Sequence, residues 1–193
     1  QPLADPDRAV QVIGENRFDF VLGSLHKTRK YGDMMMLNYA HPALDLQDVF
    51  RSYYEELLEV VQWGHFDSLA HLGYPLRYLK PYNRTVDLAQ IDDVFAEIMK
   101  SLVAQGKALE LNTGGLRMEI EAFTPSNKYL QMYKDYGGEM ITIGSDAECC
   151  SDIGCDIQAG LELLKRRLQI LYCLQEPSAG YAAAALIRED PNE

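Results

Sequence analysis

The sequence predicts an α/β domain built on a parallel sheet. Short apolar runs alternate with long amphipathic ones, each long run repeats apolar residues at three- and four-residue steps, and polar residues gather just after the short runs. With 193 residues, 47% of them hydrophobic, the chain can bury a substantial core as one domain. We read that domain over residues 1–180, with a loose tail over 181–193.

"FDFVLGS" (18–24) reads as a strand because aromatic and branched residues precede a Gly-Ser break. "DLQDVFRSYYEELLEVVQW" (45–63) reads as a helix with one apolar face, Asp45 as its cap and Gly64 as its stop. The alternation continues with strands at 66–73, 108–113, 139–145 and 169–174, and helices at 87–106, 126–138 and 156–168. Five strands and four helices in strict order predict a parallel sheet whose strands deliver their C-terminal ends to one rim, where such folds place their sites.

Composition excludes several partners. A net charge of −11 disfavours nucleic acid, whose phosphates require clustered Lys and Arg. No apolar run approaches the ~20 residues that span a bilayer. Cys149, Cys150, Cys155 and Cys173 lack both the spacing of a zinc finger and the density of a disulfide framework, so free thiols in a reducing cytoplasm are expected. No nucleophile motif of the G-x-S-x-G kind is present.

His26, His71, Asn112, Arg117, Asp146 and Glu148 all fall at or just beyond predicted strand ends. Imidazole and carboxylate together suit divalent transition metals. Either histidine taken alone is better explained as a core or loop residue, and His41 and His65 are read that way. Asp146 and Glu148 stand one residue apart, so in an extended segment they would share a side. A metal, a basic partner such as Arg77 or Arg117, or water could then lie between them. Arg77 and Arg117 could grip a phosphate through two parallel hydrogen bonds, or simply pair with some of the 29 acidic residues.

"FDFVLGSLH", "HFDSLAHLGYPLRY", "LELNTGGLR" and "ITIGSDA", in this order, resemble histidinol-phosphatases of the PHP (polymerase and histidinol phosphatase) family. The resemblance implies a partial (β/α) barrel of the distorted seven-stranded type. It also implies two or three divalent metal ions (zinc, iron or manganese) and the hydrolysis of L-histidinol phosphate in histidine biosynthesis. Carried over, His26, His71 and Asp146 match metal ligands, with Asp146 and His26 central to catalysis, and Arg77 and Arg117 match arginines that hold the substrate phosphate. Glu148 stands where the family pattern has a metal-binding His. As an oxygen donor it could remain a ligand and favour manganese or magnesium, or it could mark an altered activity.

The family's H-x-H motif, a further His and a metal-binding Glu precede the first matching motif and have no counterpart here. The chain therefore reads as a C-terminal portion of such a protein. On that reading it would bind metal poorly and turn over little alone, and open barrel edges would invite self-association. Another small phosphomonoester as substrate, or a degenerate non-catalytic domain, are the alternatives.

Overall fold

The computed structural model describes residues 2–15, 18–118, 120–168, 171–174 and 185–188. Strands β1 (Leu22–Gly23), β4 (Ser68–Leu69), β5 (Ala108–Asn112) and β6 (Ile141–Gly144) pair in parallel, in the order β1-β4-β5-β6. A short antiparallel hairpin, β2 (Lys27–Thr28) and β3 (Gly32–Asp33), follows β1, its turn closing at Gly32 with φ of +71°. Sequential parallel order requires a crossover after each strand, and helices α2 (Leu46–Trp63), α3 (Asp92–Ala104) and α4 (Asn127–Asp135) lie within these connections, with α5 (Ile157–Leu168) following β6.

The helices fall close to their predicted limits. Asp45 caps α2 by accepting from Asp48 N at 3.1 Å, and Gly64 ends it in the left-handed region at φ +70°. The helix expected at 87–106 splits into a 3-10 turn (Leu88–Ile91) and α3, because Asp87 caps the turn by accepting from Ala89 N. A first helix, α1 (Pro6–Glu15), was not predicted. Pro6 opens it, and Asp5 accepts from Arg8 N at 3.0 Å.

Two expectations are corrected. The strands at 18–24 and 66–73 shrink to two paired residues each, since only there do neighbouring backbones run alongside one another. The fifth strand, β7 (Leu171–Leu174), does not extend the parallel sheet. It pairs antiparallel with β8 (Ala185–Arg188), which lies inside the expected tail and satisfies its backbone groups. The remainder of 181–193 lies outside the described residues.

The register sorts side chains by face. Leu69, Leu109, Leu111, Ile141 and Ile143 share one face and join Val49, Phe50, Tyr53, Leu57, Phe95, Ile98, Leu102 and Leu130 in a single core. Each such side chain contributes roughly 1.5–3 kcal/mol by leaving water. The opposite face carries Ser68, Ala108, Glu110, Asn112, Thr142 and Gly144, which are polar or small. Four of these, Ser68, Glu110, Asn112 and Thr142, are nevertheless buried, and the Ser68 and Thr142 hydroxyls meet at 2.7 Å. A buried polar face is costly unless its groups are paired, and it leads directly to the strand ends. Among the described residues no helix is long and apolar enough to cross a membrane.

Candidate active site

His26 and His71 lie just beyond β1 and β4, neighbouring strands that end on the same side. Their Nε2 atoms stand 3.1 Å apart and their rings stack with centroids at 5.1 Å. The carbonyl of His26 accepts from Met34 N at 3.0 Å, which ties it to the end of the hairpin. His71 adopts φ of +27°, unusual for a non-glycine residue. Its N–H donates to Glu110 Oε2 at 2.6 Å, a bond reaching from β4 to β5.

The 3-10 turn Tyr74–Tyr78 follows immediately. Tyr74 packs its ring against both imidazoles, at 4.6 Å from His26 and 5.2 Å from His71, and Arg77 lies over the same ring at 4.8 Å. Arg77 Nη2 donates to Asp146 Oδ2 at 2.8 Å, in a pair with side chains 14% and 26% exposed. Such shielding leaves the pair less screened by salt than an exposed bridge.

Asp146 follows β6 and also has a positive φ, +49°. A β-carbon at Gly114 would stand 2.8 Å from Asp146 Cβ, so glycine there is what lets the aspartate close in. Arg117 donates from Nη2 to Ser145 O at 2.5 Å and lies within 3.8 Å of Asp152 and 3.6 Å of Asp156. The sequence reading missed both acids.

Electrostatics keep the imidazoles neutral. Burial, and next the charge of Arg77, lowers the pKa of His26. Burial above all, then His26, pushes His71 down to about 4. Neutral rings leave lone pairs for a metal or a proton. Desolvation raises the Glu110 carboxyl, opposed by its bonds from His71 N–H and Asn112. His71 Nδ1, Arg77 Nε and Arg117 Nη1 are buried without a hydrogen-bond partner. Unsatisfied donors of this kind are expected where a polar ligand completes the site.

The predicted residues therefore separate into two groups. His26, His71, Arg77 and Asp146 come together, and Arg117 flanks them on the Ser145 side. Glu148 does not join them: it is exposed, in a bend. The left-handed backbone at Asp146 breaks the extended alternation that would have put both carboxylates on one side, and what meets Asp146 is Arg77. His41 and His65 are exposed, away from this group. Glu110 was overlooked, although an acid flanked by leucines in "ALELN" is a visible signal for a buried carboxylate.

Among the described residues no group of three or more His, Cys, Asp and Glu side chains is arranged to hold a metal ion. The histidine pair fits part of one. Two nitrogens at ~2.05 Å from a tetrahedral ion stand about 3.4 Å apart, close to the 3.1 Å observed. An open groove of about 910 Å³ has His26 in its wall but runs along α1, Phe20, Leu22 and Trp63, and neither Arg77 nor Asp146 lines it. We assign the site by its convergent polar groups, not by cavity size.

Fold and rim together define an α/β domain that gathers imidazole, carboxylate and guanidinium groups at the C-terminal ends of parallel strands. Residues 5–114 match the PHP domain family. The chain belongs to that family. It is 32% identical over 160 residues to a probable histidinol-phosphatase of Thermotoga maritima, covering 83% of this chain and 61% of the relative. It is 29% identical over 161 residues to the histidinol-phosphatase of Lactococcus lactis, covering 81% and 58%. The crystal structure of the Lactococcus lactis histidinol phosphate phosphatase, complexed with zinc, L-histidinol and phosphate, superposes with a TM-score of 0.66 at 26% identity. That match covers 86% of this chain and 62% of the other. The chain thus spans about three fifths of the length of these relatives.

Proposed function

We propose that this domain serves a metal-dependent phosphomonoesterase that hydrolyses L-histidinol phosphate to L-histidinol and phosphate in histidine biosynthesis. The observation that carries the reading is the convergence of two neutral imidazoles with the Arg77–Asp146 pair at one rim. The substrate follows from similarity to the histidinol-phosphatases.

His26 and His71 would hold a divalent ion through Nε2, with Asp146 as the nearest carboxylate and Glu148 available only after its loop turns inward. Zinc is the ion that the Lactococcus lactis structure supports; iron or manganese, and two or three ions in all, are the wider proposal. Such an ion supplies Lewis acidity toward phosphoryl oxygen and acidifies water. Arg77 and Arg117 bind and orient the phosphate, since each has a buried guanidinium nitrogen without a hydrogen-bond partner, and their charge offsets that on the equatorial oxygens. Asp146 holds Arg77 until substrate competes for it. Tyr74 packs against both imidazoles and restricts their orientation.

A cytoplasmic location is supported by the free thiols of Cys149, Cys150 and Cys155. Self-association would use the open side of β1, where Phe18, Phe20 and Leu22 are 55%, 40% and 52% exposed. Sedimentation of wild type against Phe20→Lys tests it: an oligomer that the substitution reduces to monomer is expected, and identical profiles refute the edge.

The test of function is phosphate release from L-histidinol phosphate and a panel of other phosphomonoesters, using the complete product of the gene supplied with zinc or manganese. We expect metal-dependent release that favours histidinol phosphate and falls at least a hundredfold in Asp146→Asn with the fold intact. Full activity in that variant would refute the site, and preference for another ester would refute the substrate.

A further inference from the structure

We infer that Glu110 is the positioning residue of this site, holding His71 in the conformation that brings its Nε2 to His26. The inference rests on the metal-site reading for its consequence, but its geometry stands apart from it.

A carboxylate in the middle of a central strand needs a reason. Glu110 is 5% exposed on β5, and burial disfavours its charge. Solvation lost on this scale costs several kcal/mol unless bonds replace it. Its replacements are specific. One oxygen, Oε2, accepts from His71 N at 2.6 Å and from Asn112 Nδ2 at 3.2 Å. The other, Oε1, lies against Gly144, where an added β-carbon would stand only 2.1 Å from it. Alanine at 144 would therefore expel the carboxylate, and glycine there keeps its berth open.

The bond to His71 falls where the backbone is least favourable. Non-glycine residues seldom adopt a φ of +27°, and such strain persists only when surrounding contacts over-determine it. A short bond from a charged acceptor to that residue's own N–H is such a contact. Asn112 extends the brace, since its Oδ1 accepts from Gly114 N at 2.9 Å, and Gly114 is the residue that admits Asp146. One buried carboxylate thus links the histidine loop after β4 to the glycine turn after β5. It touches neither His26 nor the arginines, so it acts through His71.

Two variants separate this role from simple packing. Glu110→Gln keeps an acceptor oxygen at the same reach. Glu110→Asp keeps the charge but withdraws it by about one carbon–carbon bond, ~1.5 Å, beyond hydrogen-bond range. Both readouts use the complete product of the gene, and the first is the ring-to-ring nuclear Overhauser contact between His26 and His71 after chelator treatment. The second is zinc affinity by competition with a chelating dye.

We expect Glu110→Gln to keep the ring contact and bind zinc within threefold of wild type. Glu110→Asp should lose the contact and bind at least tenfold more weakly, the range typical of groups that orient metal ligands. If Glu110→Asp folds and keeps both, or if Glu110→Gln folds and loses both, the positioning role is refuted. Failure of both variants to fold would make Glu110 a stability residue only and would also refute it. Loss of the ring contact in Glu110→Asp with no zinc binding by any form would uphold the positioning and refute the metal reading instead.

Discussion

Acidifying the metal-free chain should cost stability through His71, and the size of the cost follows from its burial. Burial first, then the neighbouring His26, lowers the ring from an ordinary 6.5 to about 4. An unfolded chain therefore accepts a proton near pH 6.5 that the folded chain refuses until near pH 4. Between those values the unfolded state binds more protons, so stability falls as pH drops through the window and levels off below it. A gap of about 2.5 pH units at ~1.4 kcal/mol each puts the His71 contribution at no more than roughly 3.5 kcal/mol. Because His26 is lowered as well, the wild-type chain loses more than this in all, and comparison with a His71 variant isolates the share of His71. The assay is urea denaturation at several pH values from 7.5 to 4, with chelator present, for wild type and for His71→Gln. Glutamine is of similar size and does not titrate, so the carboxylates common to both proteins cancel in the comparison. The stability gap between them should narrow or invert as pH falls, most steeply between 6.5 and 4. Curves that stay parallel would mean that His71 titrates normally and that its burial has been misjudged.

Two further substitutions probe the scaffold. Gly114→Ala puts a β-carbon 2.8 Å from Asp146 Cβ, so Asp146 must move away from Arg77. Metal-supplemented phosphate release by the complete product of the gene should fall tenfold or more while far-ultraviolet dichroism stays unchanged, because a misplacement of about 1 Å suffices for such losses. Wild-type activity would refute the tight approach. Leu109→Ala empties a fully buried position on the central strand β5 and should destabilise the chain by about 2–5 kcal/mol in urea. A loss below ~1 kcal/mol would show that the core there can collapse around the gap.

The parts of this fold that were legible in the sequence are those fixed by local pattern. The face of α2, from Val49 and Phe50 to Val60 and Val61, is spaced as a helix and buried as one. "ALELN" and "ITIG" read as strands because both lie deep enough to be apolar over most of their length. The two-residue strands and the separate β7–β8 pair could not be read so finely, because their extent is decided by which backbone runs beside them.

The site divides in the same way. Placing His26, His71, Arg77 and Asp146 at strand ends needed only the order of elements. Their mutual geometry needed more, since it depends on two non-glycine residues with positive φ, His71 and Asp146. A left-handed turn is announced in sequence most clearly by glycine or asparagine, and although histidine and aspartate tolerate it better than most residues, neither marks it on its own. At His71 the strained backbone is held by a carboxylate from β5, and at Asp146 the side chain is held by a guanidinium from the turn after β4. Each partner is distant in sequence, so no window around either residue reveals the conformation. That is why Asp146 and Glu148 read as neighbours on one side when the fold sends them apart. It is also why Glu110, an acid hidden in a leucine strand, was the signal to follow. A buried charge without a local reason implies a distant one, and here the distant reason is the histidine loop.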